Sequence, residues 1–360
     1  MSDFLFSLHM DKILVTGGCG YIGVHTLVDL IENGFEVISA DNNSRSKDNI
    51  LESVEKITGK KIKNYKVDLC IYDDTVAIFQ ENPDIKGIIH FAAYKSVGES
   101  VKNPLLYFEN NLNSLINILK CANEFKVPNF VFSSSCTVYG NPDNIPVTEE
   151  TAMKAAESAY GATKQMGELI VKEAVNCNKS NAILLRYFNP VGAHPSALIG
   201  ELPLGKPENL VPAITQTAVG KLPQMQVLGN DYPTRDGSCI RDYIHVCDIA
   251  HAHTMALNYL IQNKNKSNCD IFNLGTGNGI SVLEIIAEFE KTSGTKLNYK
   301  IGPRRKGDVI AIYANNNKAR DLLGWIPKFN LHDMLATAWK WELKLKEDED
   351  LFKSKNAELN

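Results

Sequence analysis

Between Lys12 and Asp41 a short apolar strand, a glycine-punctuated turn, a helix, a second strand and an acid follow one another. That order leaves few architectures open. Lys12-Ile-Leu-Val-Thr16 is apolar and partly β-branched, and it reads as a buried strand. Gly17-Gly-Cys-Gly20-Tyr21-Ile22-Gly23 follows without a spacer. Val24 to Asn33 then carries apolar residues at helical spacing, and Gly34 stops the helix. Glu36-Val-Ile-Ser-Ala40 is the next strand, with Asp41 at its end. Glycines in such a turn let the backbone approach a pyrophosphate, and the helix N-terminus offers it N–H groups. An acid about 20 residues on bonds both ribose hydroxyls and repels a 2′-phosphate, which favours NAD over NADP.

The alternation continues. Asn64-Tyr-Lys-Val67 leads to Asp68-Leu69, and Gly87-Ile-Ile-His-Phe91 is a buried strand followed by the small residues Ala92-Ala93. Pro104 to Lys120 reads as an amphipathic helix with Asn110 and Asn111 in its first half. Asn129-Phe-Val-Phe132 is a strand ending in Ser133-Ser-Ser135, Ala155 to Val175 is a helix, and Asn181-Ala-Ile-Leu-Leu185 is a further strand. Strands alternating with helices imply an α/β fold, a doubly wound parallel sheet of the Rossmann kind. From Arg186 the pattern loosens. Six prolines between Pro190 and Pro223, with Gly192, Gly200 and Gly205, mark loop-rich structure. The regular pieces there are helices at 210–219, 246–260 and 281–292 and strands at 226–228, 242–245 and 270–273. Gly275, Gly277 and Gly279 read as a turn. Pro303-Arg-Arg305-Lys-Gly-Asp308 reads either as a solvated charge cluster or as a clamp for phosphate and ribose.

Tyr160 and Lys164 stand four apart on the 155–175 helix and so share a face. An ammonium beside a phenol favours the phenolate, which a tyrosine of ordinary pKa about 10 needs before it serves as a base near neutral pH. Ser135, at a strand end some 25 residues earlier, reads either as a turn cap or as a partner across the cleft. The balance of 38 basic against 42 acidic side chains argues against nucleic acid as a partner, and no apolar run approaches the ~18 residues of a membrane span. Eight scattered cysteines without a CxxC pair read as free thiols of a reducing, cytoplasmic setting. His251 and His253, two apart, do not share a helix face, so no metal site is expected.

The glycine spacing GxxGxxG resembles that of extended short-chain dehydrogenases/reductases. The blocks SAYGATK (158–164), YFNPVGAHPS (187–196), DGSCIRDYIHV (236–246) and PRRKGDV (303–309) sharpen the likeness to the UDP-glucose 4-epimerase family, from about residue 11 to 341. The resemblance implies reversible C4 epimerisation of UDP-glucose and UDP-galactose through tightly bound NAD, in a homodimer. It assigns Tyr160 as the base on the sugar 4-hydroxyl, Lys164 to the nicotinamide ribose and the phenolate, and Ser135 to the same sugar oxygen. It implies NAD contacts from Gly17, Gly20, Tyr21, Ile22, Gly23, Asp41, Asn42, Asp68, Leu69, Phe91, Ala92, Lys95, Asn110, Ser133 and Tyr187. UDP-sugar contacts fall on Lys95, Asn189, Asn209, Leu210, Arg241, Arg305, Asp308 and Ile312. An isoleucine at 312, between the bulky aromatic and the small residue of relatives, implies a preference for plain hexoses over N-acetylated ones. The related 4,6-dehydratases carry an Asp-Glu pair after the strand-end serine and threonine; Cys136-Thr137-Val138 lacks it. Epimerases and decarboxylases of UDP-glucuronate need a grip on a sugar carboxylate that the sequence does not display. A non-catalytic NAD-binding regulator is the alternative of another class. The expected domains are 10–188 for NAD and 189–345 for UDP-sugar, with 240–262 packing back on the first. Residues 1–9 and 346–360 are expected to be disordered ends.

Overall fold

The structure is a computed structural model that describes residues 10–358 except 48, 204, 306 and 307, with backbone only from 350. The leader read at 1–9 lies outside the described residues. In chain order the first lobe runs β1 (Lys12–Thr16), α1 (Tyr21–Glu32), β2 (Glu36–Ala40), α2 (Ile50–Thr58), β3 (Lys63–Tyr65), α3 (Tyr72–Glu81), β4 (Ile85–His90), α4 (Val97–Lys102), α5 (Pro104–Glu124), β5 (Asn129–Ser135), α6 (Ala159–Asn178) and β6 (Asn181–Tyr187). There follow β7 (Asn189–Val191), α7 (Leu210–Ala218), β8 (Met225–Leu228), β9 (Ile240–His245), α8 (Val246–Ile261), β10 (Cys269–Leu274), β11 (Gly279–Ser281), α9 (Val282–Ser293), β12 (Tyr299–Gly302), β13 (Ala311–Ile312) and α10 (Leu331–Glu358).

Seven strands form one sheet in the order β10-β6-β5-β4-β1-β2-β3, every adjacent pair parallel. Side chains alternate across it with the two-residue period of a strand. Ile13, Val15, Ile89, Val131 and Leu185 enter the layer under α1 and α8. Leu14, Ile88, Phe130, Phe132 and Leu184 enter the layer under α3, α5 and α6. Burial on both faces explains why these strands read as unbroken apolar runs. The strand order reverses between β1 and β4, which opens a crevice beyond their carboxyl ends.

Two later elements return to this lobe. Helix α8 lies against α1, where His251 Nδ1 is 3.1 Å from Asp29 Oδ1, and β10 extends the sheet beside β6. The sequence reading had placed the 270–273 strand with the second domain. The second lobe is built on a small sheet in which β9 pairs with β11, β13 and β7, and on a β8–β12 pair. Its core gathers Val211, Ile214, Val227, Ile285, Phe289 and Leu335. The amides of Thr276 and Gly277 donate to Asp242 at 2.8 and 3.0 Å, so the 275–279 glycines make a turn closed on the protein itself. Helix α10 runs past residue 345, where polar composition predicts fraying. Lys221 reaches Glu349 at 2.9 Å and Lys344 reaches Asp348 at 2.7 Å along this stretch.

Candidate active site

At the reversal point the turn after β1 is packed so closely that only glycine fits. A Cβ on Gly23 would lie 2.2 Å from the Gly17 carbonyl oxygen, and one on Gly17 would lie 2.8 Å from the Ala92 nitrogen. The Gly17 loop therefore rests on the end of β4, where Phe91 N donates to Thr16 O at 3.0 Å. No side chain caps α1 at Gly20, and no acid stands in its first turn. A helix start of that kind, reached through bare backbone, suits a pyrophosphate. Tyr21 and Ile22 open the helix, and the Tyr21 hydroxyl donates to Gly192 O at 2.6 Å, joining the turn to the second lobe.

Asp41, at the end of β2, accepts from Cys19 N at 3.1 Å and Asn43 N at 2.8 Å. Burial raises its carboxyl, while those bonds oppose the rise. Asn42 accepts from Ser44 N at 3.0 Å. Asp68 accepts from Cys70 N at 2.9 Å, and the Leu69 carbonyl accepts from Asn117 at 2.9 Å. The cradle, the bare helix start and the acid together fit a dinucleotide with an unphosphorylated 2′-hydroxyl, and NAD matches that description.

Beyond β5 lies a group of hydroxyls and one ammonium. Ser158 caps α6 by accepting from Gly161 N at 3.1 Å, which starts the helix where Tyr160 and Lys164 face the sheet. Tyr160 is 9% and Lys164 4% exposed. Lys164 Nζ donates to the Ser133 carbonyl at 2.6 Å and lies 5.8 Å from the Tyr160 ring centre. The Ser133 and Tyr187 hydroxyls share a short hydrogen bond. Burial pushes the Tyr160 phenol up to about 12, and the Ser135 hydroxyl partly opposes this. Burial also pushes the Lys164 ammonium down to about 7, opposed by Glu168. The spacing argument had the lysine lowering the phenol. In this cleft desolvation is the largest influence on each group, and the Ser135 hydroxyl opposes the rise of the phenol.

The second lobe brings a cation pair to one carboxylate. Arg305 Nη2 lies 2.6 Å and Arg241 Nη2 3.5 Å from Asp308 Oδ1. Ile312 pairs with Arg241 across β13 and β9, and Asn189 pairs with Tyr243 across β7 and β9. Ile312 is buried with Val138, Tyr139 and Phe188, and Cys136, next to Ser135, packs on the same group. That apolar group links the Tyr160 cluster to the arginines. Lys95 and Asn209 stand apart from both. Their side chains meet on Glu201 Oε1, at 3.1 and 2.6 Å, and Asn209 precedes α7, which Leu210 begins. Asn110 Nδ2 donates to Asn111 Oδ1 at 2.9 Å.

A family model described as GDP-mannose 4,6 dehydratase matches residues 14–338. The chain is 46% identical to UDP-glucose 4-epimerase uge1 of Schizosaccharomyces pombe over 94% of its own length and 95% of that protein. It is similar to the UDP-glucose 4-epimerase of Bifidobacterium longum solved with NAD+ and UDP: TM-score 0.89, 44% identity, 92% of this chain and 98% of that one. It is equally similar to the enzyme of Stenotrophomonas maltophila solved with NAD and formylated UDP-arabinopyranose: TM-score 0.90, 44% identity, 94% and 100%. The chain belongs to the UDP-glucose 4-epimerase family. The family model takes its name from a dehydratase, but the residues after Ser135 separate the two chemistries. Cys136–Tyr139 form a short 3-10 turn in which Val138 and Tyr139 are buried, and no acid follows the serine.

Several epimerase residues escaped the sequence reading. Asn111 bonds both polar backbone atoms of Tyr94 and donates to Thr163 at 3.1 Å, tying the Lys95 loop to the Tyr160 helix. Its neighbour Asn110, assigned to NAD by the resemblance, points elsewhere, since adjacent residues of a helix lie on different faces. Glu201 lies in a proline-rich loop that carries no periodic signal. Glu168 continues the Tyr160–Lys164 spacing by one more turn, a signal that was there to be read.

Proposed function

We propose that this protein interconverts UDP-galactose and UDP-glucose by epimerisation at C4, with NAD held throughout the cycle. The observation that carries the reading is the buried Ser135–Tyr160–Lys164 set at the mouth of the parallel sheet, beside a glycine cradle that fits NAD. In it Gly17, Gly20, Tyr21, Ile22, Gly23, Asp41, Asn42, Asp68, Leu69, Phe91, Ala92, Lys95 and Asn110 hold the cofactor, with Ser133, Tyr160, Lys164 and Tyr187 at its reactive end. When bound, NAD supplies a reversible acceptor for the hydrogen on C4.

Tyr160 takes the proton from the sugar 4-hydroxyl, with Ser135 bonded to the same oxygen and passing the proton between them. Lys164 stabilises the phenolate that Tyr160 must become, and its bond to the Ser133 carbonyl fixes where the ammonium sits. Arg241 and Arg305 hold the diphosphate, and Asp308 takes a ribose hydroxyl. Asn189, Asn209, Leu210 and Lys95 complete the nucleotide-sugar grip. Firm anchoring far from C4 keeps the 4-keto sugar in place while its hexose turns over, and the hydrogen returns on the opposite face. Tyr160 then gives its proton back. Because the cycle ends with every group as it began, no external oxidant is required.

Ile312 packs with Val138, Tyr139 and Phe188 and pairs with Arg241 across β13 and β9; we take its bulk to favour the plain hexoses. We also assign a homodimer, formed through α5 and α6. Val101 and Leu105 on α4 and α5, and Met166 and Leu169 on α6, are exposed apolar side chains on adjoining helices. The eight free cysteines suit the cytoplasm, and no described helix is long and apolar enough to cross a membrane.

Incubation with UDP-galactose alone, followed by separate detection of UDP-glucose, tests the activity. Tyr160→Phe is expected to lower turnover by about 10²- to 10⁴-fold while leaving nucleotide-sugar binding in place. The same assay with UDP-N-acetylglucosamine is expected to give little or no product. Conversion that survives Tyr160→Phe overturns the assignment of the base.

A further inference from the structure

Behind the Tyr160 helix lies a buried ion pair that the reaction scheme does not use. Glu168 stands on α6 one turn beyond Lys164 and two beyond Tyr160, and it is 4% exposed. Its carboxylate accepts from Arg186 Nε at 2.8 Å and Nη2 at 2.6 Å, and from the Ser134 hydroxyl. Arg186, on β6, is 2% exposed and packs over the Tyr139 ring at 4.9 Å, with Nη1 3.1 Å from the Tyr139 hydroxyl. That hydroxyl donates to Asn273 on β10 at 2.6 Å.

The arrangement forms a ladder. Lys164 takes the Ser133 carbonyl, Glu168 takes the Ser134 hydroxyl, and Tyr160 meets Ser135. Three consecutive residues of one strand thus meet three turns of one helix, though not in the same order. A buried ion pair is weak evidence for stability, since well-packed apolar residues often serve as well or better. Its place, one helical turn from the ammonium, points to a task in the reaction.

We infer that Glu168 is a positioning residue for the epimerase reaction: braced by Arg186 and Ser134, it sets the Tyr160–Lys164 turns of α6 on the serines of β5 and supplies the negative charge that keeps the Lys164 ammonium charged. The inference rests on the assignment of Tyr160 and Lys164 under the proposed function. The other groups around Lys164 do not replace that charge. His90 on β4 is held down to about 3 by burial and is neutral. Tyr160 and Tyr187 are both raised by burial and are neutral phenols. The Ser133 carbonyl and the Phe132 ring, 5.0 Å from Nζ, offer only partial charges. Arg186 lies beyond the carboxylate and is positive. Removing the Glu168 charge leaves Arg186 unopposed, and both changes favour a neutral amine at Lys164.

The test uses the holoenzyme carrying 13C at the lysine ε carbons, with the Lys164 resonance assigned by its loss in Lys164→Met. In Glu168→Gln the Lys164 titration is expected to move at least one pH unit lower than in the wild type. The alkaline limb of the kcat profile should move with it, and KM should change less than twofold. Glu168→Gln leaves a buried guanidinium without its partner, so Glu168→Gln/Arg186→Met serves as the fold-preserving variant. It is expected to regain the thermal midpoint and still titrate below wild type. Glu168→Asp, which keeps the charge, should recover most of the shift. An unchanged Lys164 titration in both glutamine-containing variants, with only the melting temperature reduced, overturns the inference and leaves Glu168 a structural residue. Wild-type turnover in Lys164→Met overturns the site assignment instead.

Discussion

A phenol and an ammonium taken out of water both resist the charged form that proton transfer at a sugar hydroxyl demands. Tyr160 rises to about 12 and Lys164 falls to about 7 because burial is the largest influence on each. For Lys164 this has a consequence in stability. Its folded value lies below the ordinary lysine value of 10.5, so between the two the unfolded chain binds more protons and stability rises with pH. The penalty is complete below pH about 7 and is relieved towards 10.5. Lys164→Met is therefore expected to stabilise the cofactor-stripped protein more at pH 6 than at pH 10, by roughly 1–3 kcal/mol, read from denaturant melts at both values. An equal change at the two pH values would show that desolvation is not what lowers Lys164. At this scale the pairing of Tyr160 with Lys164 was legible in the sequence, because a four-residue spacing on a helix is a purely local fact. It did not reveal that burial outweighs their mutual attraction, since burial depends on β5, β4 and β6 closing around them.

The glycine turn is the element in which sequence and structure agree most closely. Strand, turn, helix and acid are contiguous, so their relation needs no long-range contact. Gly23 has no spare room, since a Cβ there would meet the Gly17 carbonyl oxygen at 2.2 Å and the Gly18 Cα at 2.9 Å. Gly23→Ala is expected to push the turn away from α1 at a cost of about 1–3 kcal/mol and to leave the purified protein with little bound NAD. Extraction and enzymatic assay of the cofactor measure this, and full NAD content in the variant would contradict the packing argument. The short strands of the second lobe were harder to read. β7 spans three residues and β13 two, and both take their positions from β9, which lies tens of residues away in the chain. Such short strands carry too few side chains for periodicity to register. Arg241, Arg305 and Asp308 are assigned to the nucleotide-sugar by the resemblance alone; the local pattern at 303–308 leaves a solvated cluster equally open.

Across the whole molecule, polar contacts join the two lobes at several points. Tyr21 bonds Gly192, and Lys95 meets Asn209 through Glu201, so the glycine turn and the loop after β4 are each tied to the second lobe. The return of α8 and β10 to the first lobe was only half legible, because a parallel edge strand and a strand of the second lobe have the same composition. The exposed Leu105 at 78% and Leu169 at 60% lie on adjoining helices. If the proposed dimer forms through α5 and α6, Leu105→Glu/Leu169→Glu is expected to leave a monomer by light scattering with the melting profile little changed; a dimer that persists would move the interface elsewhere. The central claim is that hydrogen removed from C4 returns to the same carbon of the same sugar. Its most direct test is UDP-galactose carrying deuterium at C4, incubated with the protein and an excess of unlabelled NADH. The account predicts UDP-glucose with the deuterium retained at C4. Product with hydrogen in its place, or no product, would contradict it.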